Sequence, residues 1–159
     1  MTMWLDRLLG RAPALSDAGP RDAARFAPLH AASFRRGWSE DEFARLLADR
    51  AVVAHRALRG EAVAGFILSR LAAGEAEILS VAVAAAERGR GLAGRLLDLH
   101  LRRLAGLGCR AVFLEVDEDN APARRLYARA GFRGVGRRAA YYRKGETASA
   151  ALVLRRDLA

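Results

Sequence analysis

The chain has 159 residues, 52% of them hydrophobic, a composition that predicts one folded domain and excludes a disordered chain. Lysine and arginine number 27 against 18 acidic residues, which gives a net charge of +9, and Lys144 is the only lysine. This arginine-rich balance favours anionic partners such as nucleotides, cofactor phosphates or RNA. The alternative for any arginine outside a motif is that it only covers a solvated helix face and binds no anionic partner.

Membrane, secretory and metal-binding classes find no support in the sequence. No apolar stretch reaches the ~18 residues that a spanning helix needs. Asp6 and Arg7 interrupt the apolar N-terminal segment, which therefore lacks the layout of a signal peptide. A single cysteine, Cys109, excludes an intramolecular disulfide, and the three histidines are scattered. We therefore expect a cytoplasmic protein without a metal site.

The first elements are predicted to be helices. Residues 1–10 form an N-terminal extension with the pattern of a short amphipathic helix, and residues 11–159 form the single domain. A helix is predicted over residues 20–34, with Pro28 expected to break or kink it. Ser39 and Glu42 form a capping box that opens the next helix.

Strands and helices then alternate. Ala14-Leu15 begins the body of the domain, before a turn at 16–19. Three early strands are predicted at 51–58, 62–70 and 75–83 and form an antiparallel meander. A long helix over 91–107, a buried strand over 111–116, a helix over 120–130 and a final strand pair at 132–135 and 150–154 follow. The fold class is therefore α/β (α+β), with a central mixed, mostly antiparallel sheet flanked by helices around a βαβ core.

The turn Glu87–Gly94, ERGRGLAG, lies where a strand gives way to the long helix. Free N–H groups at a helix start attract an anion, and glycines let the backbone approach a pyrophosphate closely. The glycines also fit G-x-G-x-x-G, but a dinucleotide-binding domain would not begin with an antiparallel meander. A P-loop is excluded because no Gly-Lys-Ser/Thr follows. A plain turn between two packed elements is the alternative.

Two motifs resemble those of the GNAT acetyltransferases. Arg88-x-x-Gly91-x-Ala93 is similar to the family's acyl-CoA pyrophosphate loop, after a strand, ILSVAV, that is similar to its central strand. Residues 115–132, EVDEDNAPARRLYARAGF, resemble its later block. The resemblance runs from about Ala14 to the C-terminus and implies a GNAT fold.

One branch of the family, the ribosomal-protein-alanine N-acetyltransferases of the RimI type, resembles this chain in further positions. These are Trp38-Ser39-Glu40, the arginines at 137–138 and the tyrosines at 141–142, with one extra residue between the last two pairs. Ala93 and Gly94 depart from this branch, which often has Gly and usually Arg there. The loop at 117–119 is also more acidic than the branch pattern.

The resemblance implies acetyl transfer from acetyl-CoA, as co-substrate, to the N-terminal α-amine of a protein. A ribosomal protein with N-terminal alanine is the implied acceptor, and the amine attacks directly in a ternary complex. The implied acetyl-CoA-binding residues are Val81, Ala82, Val83, Arg88, Gly89, Arg90, Gly91, Leu92, Ala93, Gly94 and Asn120. The implied acceptor-binding residues are Trp38, Asp117, Tyr141 and Tyr142. No membrane or nucleic acid is required, and a monomer or homodimer is expected.

Glu115 and Tyr127 match the catalytic pair of that branch. Glu115 ends a buried strand and is the candidate base, directly or through water, with an ion-paired glutamate as the alternative. Tyr127 is the candidate acid for the leaving thiolate, with a core tyrosine as the alternative. Asp117 and its acidic neighbours either attract a cationic acceptor or favour the start of the next helix.

Three other functions remain open at this point. The acceptor amine could belong to a lysine or to a small molecule. A non-catalytic module that binds CoA or RNA is the alternative from another class. Against RNA, only 7% of the residues are aromatic, and no aromatic-rich strand offers a platform for base stacking.

Overall fold

A seven-stranded sheet in the order β1-β2-β3-β4-β5-β7-β6 lies at the centre of the structure, a computed structural model that describes residues 3–144 and 147–158. The strands are β1 Ala14–Asp17, β2 Val52–Arg59, β3 Ala62–Ala72, β4 Glu75–Val83, β5 Ala111–Asp117, β6 Arg133–Lys144 and β7 Thr147–Asp157. The α-helices are α1 Met3–Leu8, α2 Ala23–Ser33, α3 Glu40–Ala48, α4 Leu92–Gly106 and α5 Ala121–Arg129. Short 3-10 helices cover Pro20–Asp22 and Ala85–Glu87.

The sheet is mixed and mostly antiparallel, as the sequence predicted. Among the described strands, β4 and β5 alone pair in parallel, and α4 connects them in a βαβ crossover. No helix in the described part of the chain has the length and apolar character needed to cross a membrane.

Each face of the sheet carries its own apolar core. On one face, α4 buries a stripe at helical spacing, including Leu96, Leu97 and Leu104, against β3, β4 and β5. On the other, Phe26 of α2 and Phe43 of α3 pack on Phe66 of β3. Because α2 and α3 lie over β2, β3 and β4, the β5-β7-β6 part of this second face is the more open one.

Several element boundaries differ from the predictions. β1 extends through Ser16 and Asp17, where a turn was expected, because both residues pair with β2. The helix predicted from Pro20 begins as a 3-10 turn, and α2 continues through Pro28. Pro28 has no N–H to donate to the carbonyl of Ala24. Both residues are exposed, so water can donate to this carbonyl instead.

The final strand pair is longer than predicted because the sequence obscures its start. Gly134 and Gly136 weaken the strand pattern, and the register shifts between them and again between Arg138 and Tyr142. Pairing between β6 and β7 nevertheless continues from Arg133 to Lys144.

A buried histidine pair connects α4 to the sheet. Nδ1 of His55 on β2 lies 2.8 Å from Nδ1 of His100 on α4, and Nε2 of His100 lies 2.7 Å from Oγ of Ser69. Burial, together with the neighbouring His55, lowers the pKa of His100 to about 3. The pair therefore serves the core in its neutral form, with one ring donating to the other.

We expect acid to destabilise the protein through His100. The unfolded chain binds a proton at this residue near pH 6.5 and the folded chain only near pH 3, so stability falls as the pH drops through this window. The loss between pH 7 and pH 5 should be about 2 kcal/mol. Urea unfolding at both pH values measures it, and His100→Gln, which cannot titrate, should flatten the dependence. An equal pH dependence in the variant would contradict this role.

Candidate functional site

The central feature of the site is a gap between β4 and β5. Their parallel pairing covers only Glu75–Glu77 against Ala111–Phe113. In the described structure, residues 78–83 of β4 and 114–117 of β5 continue without pairing to each other. Backbone N–H and C=O groups along both edges of the gap are therefore open to an extended ligand, as at a free sheet edge.

A bulge alters β4 where the gap begins. Leu68 of β3 pairs with Ser80 and Ser69 pairs with Ile78, so Leu79 is the extra residue. Such a bulge increases the local twist and turns the following backbone. The predicted acetyl-CoA-binding residues Val81, Ala82 and Val83 come directly after it and form the end of β4 beside the gap.

The glycine-rich turn leads from the gap into α4. Gly89 and Gly91 have φ values of +75° and +79°, a region that favours glycine, and Gly91 is the N-cap residue of α4. A Cβ at either position would meet nothing within 4 Å, so the backbone is openly accessible. This arrangement suits a phosphate group, which accepts from the N–H groups of the first helical turn.

The remaining predicted residues of this turn take two orientations. Leu92 is buried in the core and holds the first turn of α4, while Ala93 is half-buried. Gly94 and the arginines at 88 and 90 are exposed, and Nε of Arg88 donates to the Val83 carbonyl at 3.2 Å. The turn thus presents cations and open backbone on its outer side.

A cleft of about 720 Å³ lies beside this turn, between α4 and α5. Gly91 and Gly94 line one side of it, and Leu126, Arg129 and Arg156 line the other. Nη1 of Arg156 donates to the Ala130 carbonyl at 2.7 Å, which fixes this guanidinium at the cleft. The cleft is contiguous with the glycine-rich turn and offers an apolar wall, the cations Arg129 and Arg156, and the carboxylate of Asp98.

Glu115 lies on β5 beside the gap and is paired with an arginine. It alternates with Leu114 and Val116, which face the α4 core, so it points to the opposite, more open face of the sheet. Its carboxylate Oε1 lies 3.0 Å from Nη2 of Arg138 on β6, and its side chain is 22% exposed. The structure therefore shows the ion-paired arrangement that stood as the alternative to a free base.

Tyr127 lies on the other face. Its ring is buried with the α4 core and packs edge-on against Phe132, with centroids 5.7 Å apart. Burial raises the pKa of Tyr127 to about 12. The phenol therefore keeps its proton at neutral pH and can donate a hydrogen bond. Glu115 and Tyr127 thus lie on opposite faces of the sheet.

The acidic loop after β5 is held in place by its own charges. Glu118 accepts from Arg137 at 3.1 and 3.2 Å and from the Ala150 N–H, and the hydrogen bonds to Arg137 hold the pKa of this carboxyl below its usual range. Oδ1 of Asp117 accepts from the Asp119 N–H at 2.9 Å. Glu118 therefore fastens the loop to the sheet.

Asn120 occupies the N-cap position of α5. Its Oδ1 accepts from the Ala123 N–H at 3.2 Å, so this predicted acetyl-CoA-binding side chain caps the helix in the structure.

Of the other predicted acceptor-binding residues, Trp38, Tyr141 and Tyr142, only Trp38 has a described side chain. The ring of Trp38 stacks on His30 with centroids 4.5 Å apart and lines a cleft of about 390 Å³ along α3, which shares no lining residue with the α4–α5 cleft. The backbone of Tyr141 and Tyr142 belongs to β6, but their side chains lie outside the described part of the structure.

Sequence reasoning missed the partners of several site residues. The motif at 137–138 gives no sign that Arg138 pairs with Glu115 across β7. No motif includes Arg156, although it lines the cleft. Neither partnership leaves a local signal in the sequence, because each joins residues that are distant along the chain and become neighbours only through the strand order.

Comparison with protein families gives a match over most of the chain. Residues 23–132 match the model described as the acetyltransferase (GNAT) family. A mycothiol acetyltransferase from Parafrankia sp. (strain EAN1pec) is 51% identical over 57 residues, which is 36% of this chain and 18% of that protein. One from Brachybacterium faecium is 42% identical over 86 residues, covering 51% of this chain and 26% of that protein. The chain thus spans about a quarter or less of these curated relatives.

Solved structures share the fold. The ribosomal-protein-S18-alanine N-acetyltransferase from Escherichia coli superposes with a TM-score of 0.86 at 23% identity, covering 92% of this chain and 94% of that one. Arabidopsis thaliana NAA60 in complex with acetyl-CoA gives 0.81 at 21% identity, covering 91% and 97%. At these identities the likeness concerns the fold.

We expect Gly91→Asp to abolish most of the affinity for CoA, because it adds bulk and negative charge where the open backbone meets a phosphate. Gly108→Asp is the matched control: Gly108 also has a positive φ, +87°, and open space around it, but it follows the other end of α4. Calorimetric titration with CoA should show a large loss for the first variant and little for the second. Equal CoA affinities in the two variants would show that the glycine-rich turn is not part of the binding site.

Proposed function

This chain belongs to the GNAT acetyltransferase family, and on that premise we propose that it transfers the acetyl group of acetyl-CoA to the N-terminal α-amine of a protein. A ribosomal protein with N-terminal alanine is the proposed acceptor. The observation that carries the proposal is the position of Glu115, at the β4–β5 gap and on the open face of the sheet. A polypeptide end can approach there while the thioester lies in the gap.

The proposed binding mode uses the geometry of both sides of the gap. The pyrophosphate is held by the backbone at Gly89 and Gly91, with Arg88 and Arg90 nearby. The rest of the nucleotide takes the α4–α5 cleft, beside Arg129 and Arg156. The extended arm of acetyl-CoA lies along the open edge of β4 at residues 81–83, as an added strand would.

The proposed reaction is a direct attack. The amine nitrogen forms a bond to the thioester carbonyl carbon as the carbon–sulfur bond breaks, and Glu115 takes the amine proton, directly or through water. Tyr127 donates a hydrogen bond to the departing thiolate from the opposite face, and solvent supplies the thiol proton. Full transfer from a phenol of pKa about 12 to a thiolate is uphill, so Tyr127 keeps its proton. An acyl-enzyme at Cys109 is disfavoured because burial raises the pKa of that thiol.

Arg138 must be accommodated in this mechanism. Its guanidinium lies 3.0 Å from the carboxylate that is to receive the proton. Arg138 itself is more than half exposed, so it can turn into solvent when an acceptor amine takes its place at Glu115. A single α-amine, with a pKa near 8, needs less help to become neutral than a lysine near 10.4.

A second candidate acceptor is a small-molecule amine. It is favoured by the local identity of 42–51% to proteins named mycothiol acetyltransferase, which exceeds the identity to the N-terminal acetyltransferase structures. The same gap, base and hydrogen-bond donor would serve this reaction. The two candidates differ only in what the open face receives.

We expect Glu115→Gln to lower kcat about 100-fold with little change in CoA affinity, because the amide keeps the shape but cannot accept a proton. Glu118→Gln is the matched control, since it makes the same change in another arginine-paired carboxylate of the same segment. The control should retain most of the turnover. A parent-like rate for Glu115→Gln at saturating substrate would show that Glu115 is not the base.

We expect a peptide with a free N-terminal alanine to be acetylated, while the same peptide with a blocked N-terminus stays inert even when it contains lysine. The rate at subsaturating peptide should rise with pH towards about 8, as the α-amine loses its proton. Mass spectrometry of both peptides and of small amines gives the answer. Robust acetylation of the blocked peptide would refute the α-amine assignment, and turnover of small amines alone would favour the second candidate.

A further inference from the structure

A buried ion pair anchors the glycine-rich turn, and we propose that Arg59 and Glu87 are positioning residues for the binding of acetyl-CoA. This inference rests on the proposed function, because it assigns the pair to the same acyl-CoA site. Neither side chain touches the open outer side of the turn, and both are at least 97% buried. They act by holding the backbone that meets the pyrophosphate.

The geometry of the pair is bidentate. Nε of Arg59 donates to Oε1 of Glu87 at 2.6 Å, and Nη2 donates to Oε2 at 2.9 Å. Two parallel charge-assisted bonds fix the orientation of both planar groups as well as their separation. Arg59 ends β2, a sheet strand, so the fixed end of this contact belongs to the rigid core.

Glu87 is the last residue of the 3-10 helix and the first residue of the glycine-rich turn. The Glu87 N–H donates to the Ala84 carbonyl at 2.8 Å, so side chain and backbone of Glu87 are both fixed. Gly89 and Gly91 then follow. A Cβ at either position would meet nothing within 4 Å, so little packing holds this part of the turn. A flexible turn that must present N–H groups in one geometry gains order from a rigid entry point.

The same arginine also holds the segment that precedes β1. Nη1 of Arg59 donates to the Arg11 carbonyl at 2.8 Å, and Nη1 of Arg95, in the first turn of α4, donates to the Pro13 carbonyl at 3.3 Å. Residues 11–13 are therefore held by Arg59, which contacts the entry to the glycine-rich turn, and by Arg95, which follows the turn. The entry to the turn, the start of α4 and this segment form one connected unit.

Stability alone does not account for such a pair. A buried ion pair often contributes no more than apolar residues of the same volume, because both charges lose their hydration. Removing one partner leaves an uncompensated buried charge, whereas removing both restores an apolar core. If the pair has a positioning role, the double replacement recovers stability but not the affinity for CoA. If its role is purely structural, the double replacement recovers both.

The test compares Arg59→Met, Glu87→Leu and the double variant with the parent. We expect each single variant to lose thermal stability and the double variant to recover it. The affinity for CoA should stay lowered about tenfold in the double variant, as expected when a hydrogen bond to a charged group is misplaced. Steady-state kinetics should show a raised KM for acetyl-CoA with kcat nearly unchanged, because the pyrophosphate contact is made equally before and during the reaction.

Arg56 and Asp22 supply a matched control. Their ion pair is also buried, at 2.6 Å, and Arg56 lies on the same strand as Arg59 but on the opposite face of the sheet. Arg56→Met should lower stability while the affinity for CoA stays at the parent value. A similar loss of affinity in this control would show that general destabilisation is responsible and would overturn the positioning role.

The remaining outcomes distinguish a failure of the positioning role from a failure of the proposed function. A double variant with parent affinity for CoA would overturn the positioning role and leave the proposed function standing. A parent protein that does not bind CoA in the same titration would overturn the proposed function and this inference with it. Binding of pantetheine, which lacks the pyrophosphate, should be the same in the parent and in the double variant, and a loss there would contradict the assignment to the turn.

Discussion

The parallel pairing of β4 and β5 lasts for three residue pairs, and the rest of the site depends on where it stops. Up to Glu77 the sheet is continuous and both apolar cores are closed. Past that point, the two strands keep their outer partners, β3 and β7, while their inner edges lie open to each other. The fold thereby creates polar backbone at its centre without burying it unsatisfied, provided that water or a ligand occupies the gap.

This opening also makes the two faces of the sheet chemically different. The α4 face is closed and apolar at Tyr127, and this burial raises the pKa of its phenol to about 12. The face of Glu115 is open, arginine-rich and bordered by an acidic loop that Arg137 holds. Solvent thus reaches Glu115, whereas the ring of Tyr127 is shielded from it.

Arginine has three distinct tasks in this chain. On the surface it carries most of the charge of +9 and faces solvent. In the core, Arg56 and Arg59 neutralise buried carboxylates in bidentate or short contacts, which a lysine could not reproduce. Beside the gap, Arg138 balances the candidate base. Composition alone does not separate these tasks, because it carries no information on burial.

The sequence predicted the sheet class, the crossover and the helix capped by Ser39 because those features are local: periodicity, a capping box, and glycines at a turn. It predicted the glycine-rich turn for the same reason, since the left-handed conformations of Gly89 and Gly91 require that residue type. It did not predict that His55 would meet His100, that Arg59 would meet Glu87 or that Arg138 would meet Glu115. These contacts join residues that are distant along the chain, and they depend on the order of strands in the sheet.

That order has a consequence for how the protein is made. β7 follows β6 along the chain but lies between β6 and β5 in the sheet. During synthesis the strand of Glu115 emerges with only three pairs to hold it on β4, and its long antiparallel partner comes more than thirty residues later. Pairings of high sequence separation form late because the intervening chain must first be ordered. The strand that carries Glu115 is therefore held along its full length only after β7 has been made.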